Sequence, residues 1–385
     1  MGGSLGREHR RDEFLSMLRA VPTRTIVEVA AARPNFMKVA PIHRVLSRST
    51  NLEPILVHAG QHYDQAMSDI FFSDLEMGEP DIHLDAGSGT HAEQTARVLL
   101  GLEPHLIEIR PAAVVVVGDV NSTLAAALCA AKLDIPVAHV EAGLRSYRRD
   151  MPEEINRVMT DSISDLLFAP SDDAVGNLLA EGHPRERIHL VGNVMIDSLD
   201  HIIPRAIASP VVTELGLVKG SYYVATLHRP SNVDGFEELE RMVDILVAVA
   251  RVKPLVFVVH PRTLRLLGEG SGVDRLQQAG VMLREPMGYV DFLSLVASSA
   301  AALTDSGGIQ EETTVLGVPC LTLRDETERP VTVTEGTNHV VGQDEAAVLN
   351  ALEAADLEPR TPRRPRLWDG HSAERIATAL EKAYG

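Results

Sequence analysis

The sequence predicts an α/β protein built from two doubly wound parallel sheets. Three observations carry this. Short β-branched runs alternate with longer stretches of helical periodicity along most of the chain. Residues 114–117 are consecutive valines with no polar alternation, as expected of a strand covered on both faces. The rhythm breaks between Gly192 and Gly216 and then restarts, which places a boundary between two such units.

Residues 1–22 read as an extension outside the core, 23–195 as the first domain and 196–365 as the second. The extension carries Arg7, Arg10 and Arg11 but lacks the long apolar segment of a signal peptide. A short amphipathic helix is expected around residues 14–18. In the first domain, strands are expected at 25–30, 54–59, 82–84, 113–117, 137–140, 166–169 and 188–191. Helices fall between them at 37–46, 92–102 and 123–132. Pro204 and Pro210 interrupt the stretch that follows. In the second domain, strands are expected at 222–226, 255–259, 281–283, 301–303 and 320–323, with helices at 236–251, 289–297 and 308–316. Residues 358–367 hold three prolines and four arginines and read as a solvated connector. Ile376, Leu380 and Ala383 then recur at helical spacing, so 372–384 is a last helix docking on one of the domains.

Composition narrows the function. With 385 residues, 45% hydrophobic and 23% charged, the chain is an ordinary globular protein of two or three domains. Aromatics are only 4% and the net charge is −18. Such a surface repels phosphate backbones and anionic membranes, so no nucleic acid or membrane partner is expected. Cys129 and Cys320 sit in apolar runs and read as buried free thiols in a reducing, cytoplasmic setting. The most apolar stretch, 112–117, is far shorter than the ~20 residues of a membrane span.

In open α/β sheets ligands bind beyond the carboxyl ends of the strands. There the sequence places Arg33, Asn35 and Lys38, then Gly118-Asp119, then Glu141 to Arg145. In the second half it places His228-Arg229, His260-Pro261-Arg262 and Asp305-Ser306-Gly307-Gly308. Charged or small residues from both halves thus point to a cleft between domains. TDSGGIQEE (304–312) is the sharpest piece. A strand ends, two glycines admit a close ligand, and a helix opens with unpaired N–H groups suited to a diphosphate. Glu312 could reach sugar hydroxyls from that helix. The bland reading is Ser306 as an N-cap with glycine for packing. No Walker-A loop and no G-x-G-x-x-G is present, so no nicotinamide or flavin cofactor is expected.

Asp119 and Glu141 each follow a buried strand, where an acid is costly unless partnered. Glu153-Glu154 after Pro152 is also ordinary helix-start chemistry. Several acids beside a diphosphate site imply proton transfer. His228 and His260 stand out because both follow strands of the second domain, where they could meet phosphate or act as an acid. No HExxH, helical HxxxH or Cys–His cluster is present, so no metal site is expected.

These residues resemble the UDP-N-acetylglucosamine 2-epimerase family of the bacterial, non-hydrolysing type. The motifs are ARPNFMK (32–38), GQHYD (60–64), VGDVNSTLA (117–125), HVEAGLRS (139–146), MPEEINR (151–157), GNVMID (192–197), LHR (227–229), VHP (259–261), TDSGGIQEE (304–312) and RDETERP (324–330). The resemblance implies a GT-B architecture, a homodimer, and a last helix (371–385) packing back on the first domain. It implies Arg33 and Lys38 facing the diphosphate, with His228 and Arg329 on its other side. It implies Ser306, Gly307 and Gly308 on phosphate, Glu312 on the ribose and Phe292 against the uracil. His260 joins the substrate-binding set, and Asp119, Glu141 and Glu153 match the acid/base carboxylates, with His228 among the catalytic groups. The implied chemistry removes the C2 proton, expels UDP to leave 2-acetamidoglucal, and re-adds UDP with C2 inverted, with no cofactor.

Departures from the usual pattern are Ala31-Ala32 for Gly-Thr, Asn35 for Glu, Pro230-Ser231 for Arg-Glu, Val331 for Glu, and Met287 near the uracil. Gln61-His62 matches part of a pocket that binds an activating second substrate in some members. The Arg-Gln pair that completes it is absent around residues 87–91. The other readings are a hydrolysing relative that releases free N-acetylmannosamine, a GT-B glycosyltransferase, and a non-catalytic nucleotide-sugar sensor.

Overall fold

The computed structural model describes residues 24–31, 33–60, 75–357 and 360–385, without the side chains of Arg33, Pro34 and Pro230. The expected N-terminal extension, Gln61-His62 and the Arg33 side chain therefore lie outside the described residues.

The first sheet contains β1 (Arg24–Ala30), β2 (Leu52–His58), β3 (Ile82–His83), β4 (Ala113–Val117), β5 (Val137–Val140), β6 (Leu166–Ala169) and β7 (Ile188–Leu190). Its order is β3-β2-β1-β4-β5-β6-β7, and all pairs are parallel. Helices α1 (Arg33–Leu46), α2 (His91–Ile109), α3 (Asn121–Lys132), α4 (Pro152–Ile163) and α5 (Asp172–Ala180) cover it. Alternate valines of β4 face opposite layers. Val115 and Val117 pack with Phe36 and Val39 of α1, and Val114 and Val116 with Leu102 and Ala126 of α2 and α3. This is why the run lacks polar alternation.

The second sheet contains β8 (Tyr223–Thr226), β9 (Leu255–Val258), β10 (Met282–Arg284), β11 (Ala301–Thr304), β12 (Cys320–Thr322) and β13 (Asn338–Val340), in the order β10-β9-β8-β11-β12-β13. All its pairs are parallel too. Further helices are α6 (Val194–Ala208), α7 (Phe236–Ala250), α8 (Tyr289–Ser298), α9 (Gly307–Leu316) and α10 (Ser372–Tyr384).

Each sheet reverses its winding once, between β1 and β4 and between β8 and β11. At such a switch point the two outgoing loops run to opposite faces and leave a crevice. Residues 31, 33–35 and 118–119 border the first crevice, and residues 228–229 and 305–308 border the second.

Three expectations are corrected. The stretch expected to break the rhythm after Gly192 is largely the helix α6, opened by Asn193, whose Oδ1 accepts from Met195 N at 2.9 Å. Its face of Ile196, Leu199 and Ile202 is buried, and it packs against α1, α8, α9 and α10, so it joins the two halves. Helix α2 runs beyond the expected residue 102, because Leu106 continues the buried row of Val98 and Leu102 despite Pro104. Strand β13 was not expected. It is a three-residue edge strand, too short to show a period.

The connector from residue 360 onward is mostly exposed but pinned. Arg364 donates to both carboxylate oxygens of Asp200 at 2.9 and 2.6 Å, and buried Trp368 donates to Pro170 O at 3.1 Å. Asp197 of α6 then accepts from Ser372 N (3.2 Å) and Ala373 N (2.8 Å), capping α10, which packs on α1 and α6. Both cysteines are free and buried. No helix among the described residues is long and apolar enough to cross a membrane.

Candidate active site

The geometry starts at the end of β4. Gly118 has φ +68°, a conformation that suits glycine. A Cβ there would meet Lys38 Nζ at 2.9 Å and Glu141 Oε2 at 3.3 Å. The absent side chain is what lets Lys38 of α1 ion-pair with Glu141 after β5, both buried. Glu141 itself has φ +72°, a strained backbone for a residue with a side chain. Asn35 donates to Val117 O at 3.0 Å, tying α1 to β4. A carboxylate in its place could not donate.

The second half enters through Arg329. Its Nη2 donates to Glu141 Oε1 at 2.9 Å, its Nε to Glu311 Oε1 at 2.6 Å and its Nη1 to Glu328 Oε1 at 2.7 Å. Gly307, the first residue of α9, makes this possible, since a Cβ there would lie 2.6 Å from Arg329 Cζ. Glu328 is nearly inaccessible and also lies near Arg324 (2.9 Å), Arg229 (3.3 Å) and Arg157 (3.9 Å). Burial pushes its carboxyl up, but Arg329, Arg324, Arg157 and Arg229 together hold it far below the usual carboxylate range.

Asp119 is gripped by Arg157 of α4, which donates through Nε (3.1 Å) and Nη2 (2.7 Å) to the same carboxylate oxygen. Burial raises the Asp119 pKa, and the charges of Arg157, Lys38 and Arg329 outweigh it, so the group stays below its ordinary value. The neighbouring acids divide their work. Glu154 is buried and accepts from Ser146 N and Tyr147 N, both at 2.9 Å, so it holds the loop after Glu141. Glu153 keeps 36% of its side chain exposed and faces Arg229 at 3.4 Å. It lines a cavity of about 330 Å³ with Asp119, Ser122, Asn156 and Gly60.

Asp305 organises the other lip. It accepts from His228 N (3.0 Å), Arg229 N (2.8 Å) and Asn232 Nδ2 (3.0 Å). The His228 Nδ1 lies 3.0 Å from Asp305 Oδ1, which leaves Nε2 as the ring nitrogen for a ligand. Burial raises the Asp305 pKa, and His228 with these N–H donors brings it below the usual value.

The start of α9 shows why the glycines stand there. Ser306 occupies the N-cap position without a side-chain cap bond, so the bland capping reading fails. A Cβ at Gly308 would come no closer than 3.9 Å to any neighbour, so the fold itself does not demand that glycine. Glu312 is buried with Oε1 accepting from Tyr289 OH at 2.8 Å. Phe292 is buried in α8 against Val256, Val258 and Ile309. His260 caps the helix Pro261–Gly268, its Nδ1 accepting from Arg262 N at 3.3 Å.

Asp119, Glu141, Glu153, Lys38 and Arg329 are thus linked in one network across the cleft, with His228 on its rim beside Arg229. Sequence reasoning placed Arg229 and Asp305 at the strand ends without giving them a role, and it missed Arg157, Glu311 and Glu328. The usable signal was charge: an acid just beyond a buried strand requires a cation, and MPEEINR and RDETERP supply them. Among the described residues, no group of three or more His, Cys, Asp or Glu is placed to hold a metal ion.

A family model described as UDP-N-acetylglucosamine 2-epimerase matches residues 44–381. The chain is 42% identical over 363 residues to a UDP-N-acetylglucosamine 2-epimerase of Methanocaldococcus jannaschii, covering 91% of this chain and 97% of the relative. It is 39% identical over 361 residues to the UDP-2,3-diacetamido-2,3-dideoxy-D-glucuronate 2-epimerase of Pseudomonas aeruginosa, covering 93% and 99%. The crystal structure of the M. jannaschii UDP-GlcNAc 2-epimerase with UDP-GlcNAc and UDP superposes with a TM-score of 0.87 at 41% identity, covering 93% of this chain and 99% of that one. The paired parallel sheets are GT-B-like.

Proposed function

The chain belongs to the UDP-N-acetylglucosamine 2-epimerase family, and on that premise we propose that it interconverts UDP-N-acetylglucosamine and UDP-N-acetylmannosamine without releasing free sugar. One observation carries this reading. Arg329 of the second half is hydrogen-bonded to Glu141 of the first, with Lys38 on the same carboxylate and Asp119 ionised beside Arg157. Groups suited to a diphosphate therefore meet groups suited to moving a proton.

In the proposed reaction Ser306, Gly307, Gly308, Arg329 and Lys38 hold the diphosphate, Glu312 the ribose, and Phe292 lies against the uracil. His228 and the Arg33 side chain add to the phosphate side. A carboxylate removes the C2 proton as UDP departs, giving 2-acetamidoglucal. A second carboxylate then returns a proton from the opposite face while UDP re-adds to C1. Asp119, Glu141 and Glu153 supply these acids. Because C2–H is a weak acid, much of the rate must come from positioning and from fixed charge at the departing diphosphate.

The test is to follow the proton spectrum of UDP-N-acetylglucosamine with the protein in heavy water. The manno isomer with deuterium at C2 and little free UDP supports the reading. Accumulation of UDP and free N-acetylmannosamine marks a hydrolase. Transfer without C2 exchange marks a glycosyltransferase, and no change marks a sensor. A parallel sample with UDP-2,3-diacetamido-2,3-dideoxy-D-glucuronate, the sugar named for the Pseudomonas relative, checks the substituents at C3 and C6.

The working form is a homodimer in the cytoplasm. Leu100 and Ile107 of α2 and Ile155 and Met159 of α4 stay exposed on the two helices flanking α3, an apolar face suited to a second copy. Light scattering showing a monomer that turns over at full rate would refute it.

A further inference from the structure

Glu311 is a buried acid that the proposed chemistry leaves unused. It sits in the middle of the first helical turns of α9, 2% exposed, between the glycines and Glu312. Its Oε1 accepts from Arg329 Nε at 2.6 Å. Its Oε2 is buried and has no hydrogen-bond partner among the described residues. The carboxylates that share Arg329 are compensated unequally. Glu328 also has Arg324 and Arg229 within 3.3 Å. Glu141 also has Lys38. Among the described residues, Glu311 accepts from one N–H of one guanidinium, and Lys38 reaches it only through its charge.

A diphosphate arriving at Arg329 brings two negative charges to a guanidinium already facing three carboxylates. Buried like charges at such distances do not all stay ionised. The site can admit the anion by neutralising whichever carboxylate has least compensation.

We propose that Glu311 takes up a proton from solvent when the nucleotide diphosphate binds, so that Arg329 is released from it toward the phosphate. This inference rests on the reading of Arg329 as a diphosphate ligand. Glu311 acts through Arg329 and is a positioning residue. Burial, and after it the nearby charge of Glu141, move its carboxyl above the usual range, whereas Arg329 and Lys38 pull it back. Uptake therefore appears on the alkaline side of ordinary carboxylate titration. Because the complex binds more protons than the free enzyme, affinity falls as pH rises, by about tenfold per pH unit for one coupled proton.

The experiment is titration calorimetry from about pH 6 to 9 in buffers of different ionisation enthalpy. The ligand is UDP-N-acetylglucosamine, pre-equilibrated with a trace of enzyme; its diphosphate is a diester with no titrating group in that range. Wild-type protein is expected to take up as much as about one proton per site within this range. The Glu311→Gln variant is expected to lose that uptake and to flatten the fall of affinity with pH. His228, paired with Asp305 on the same cleft, is the same in both proteins, so whatever it contributes cancels in the comparison. Binding with no net uptake anywhere in the range overturns the proposal without the variant. Equal uptake by Glu311→Gln overturns it as well. Absence of any binding overturns the nucleotide reading and this inference with it.

Discussion

Replacing Gly308 by alanine should separate what the fold needs from what the ligand needs. Gly308 is the second residue of α9, and a Cβ there meets only Met195 Cε at 3.9 Å and Ser306 Oγ at 4.0 Å. Nothing in the protein is pushed. Alanine in a helix is favoured over glycine by about 0.5–1 kcal/mol, so the variant should be slightly more stable than wild type. If the diphosphate rests on the opening turn of α9, the new methyl fills part of its seat. Losing one backbone hydrogen bond to a charged oxygen is worth about 1.5–3 kcal/mol, or about 10- to 100-fold in UDP affinity. Gly307→Ala is the counterpart. Its Cβ would lie 2.6 Å from Arg329 Cζ, where carbon atoms normally keep about 3.5 Å or more. The guanidinium must then move by about 1 Å while three carboxylates hold it. A broken buried ion pair typically loses about 3–5 kcal/mol, so a destabilisation of about 2–4 kcal/mol is expected. Urea unfolding and calorimetric titration with UDP measure both quantities. A Gly308→Ala protein that binds UDP like wild type would refute the placement of the diphosphate on α9.

Asp119→Asn removes a charge that Arg157 and its neighbours keep ionised; turnover should fall at least about 100-fold, and C2 deuterium exchange should fall with it. Unchanged turnover in this variant and in Glu141→Gln would end the acid/base assignment. Gly118→Ala combines a left-handed backbone with a Cβ 2.9 Å from Lys38 Nζ. It should cost about 1–2 kcal/mol from backbone conformation alone, read by thermal unfolding, and disturb the Lys38–Glu141 pair. Burial raises Asp197 from 3.8 to about 6. An acid raised on folding contributes most below its unfolded pKa and loses that contribution as pH rises through the folded value. Asp197→Asn keeps an acceptor for the α10 cap and removes the titration. Its stability relative to wild type should improve by up to about 3 kcal/mol between about pH 4 and pH 7; no change in the difference would refute the buried titration.

Lys38, Asp119, Glu141, Ser306 and Glu312 could be placed in the sequence because each follows a buried strand or opens a helix, and strand ends are where a parallel sheet exposes its ligands. From the residues alone Glu153 was legible as one of two adjacent acids, and the family resemblance singled it out. In the structure Glu154, its neighbour, turns inward to hold residues 146–147 while Glu153 faces the cavity. Helical phase alone separates them, and the start of a helix cannot be set to one residue from pattern. Helix α6 was obscured by Pro204, which reads as a breaker although the apolar face around it is continuous.

What the chain determined by itself is local and periodic: valine runs that must be covered on both faces, paired glycines at the start of a helix, and the chemical kinds of group at each strand end. What only the tertiary structure decided is which charges share a partner. Arg329 meets Glu141 across 188 positions of sequence, and Arg157 meets Asp119 through the packing of α4 against α3 and β5. The physical reason is that a buried ion must be compensated by whatever the fold brings within a few ångströms. That distance is set by how two sheets and the helix α6 between them pack, and no periodicity along the chain records it.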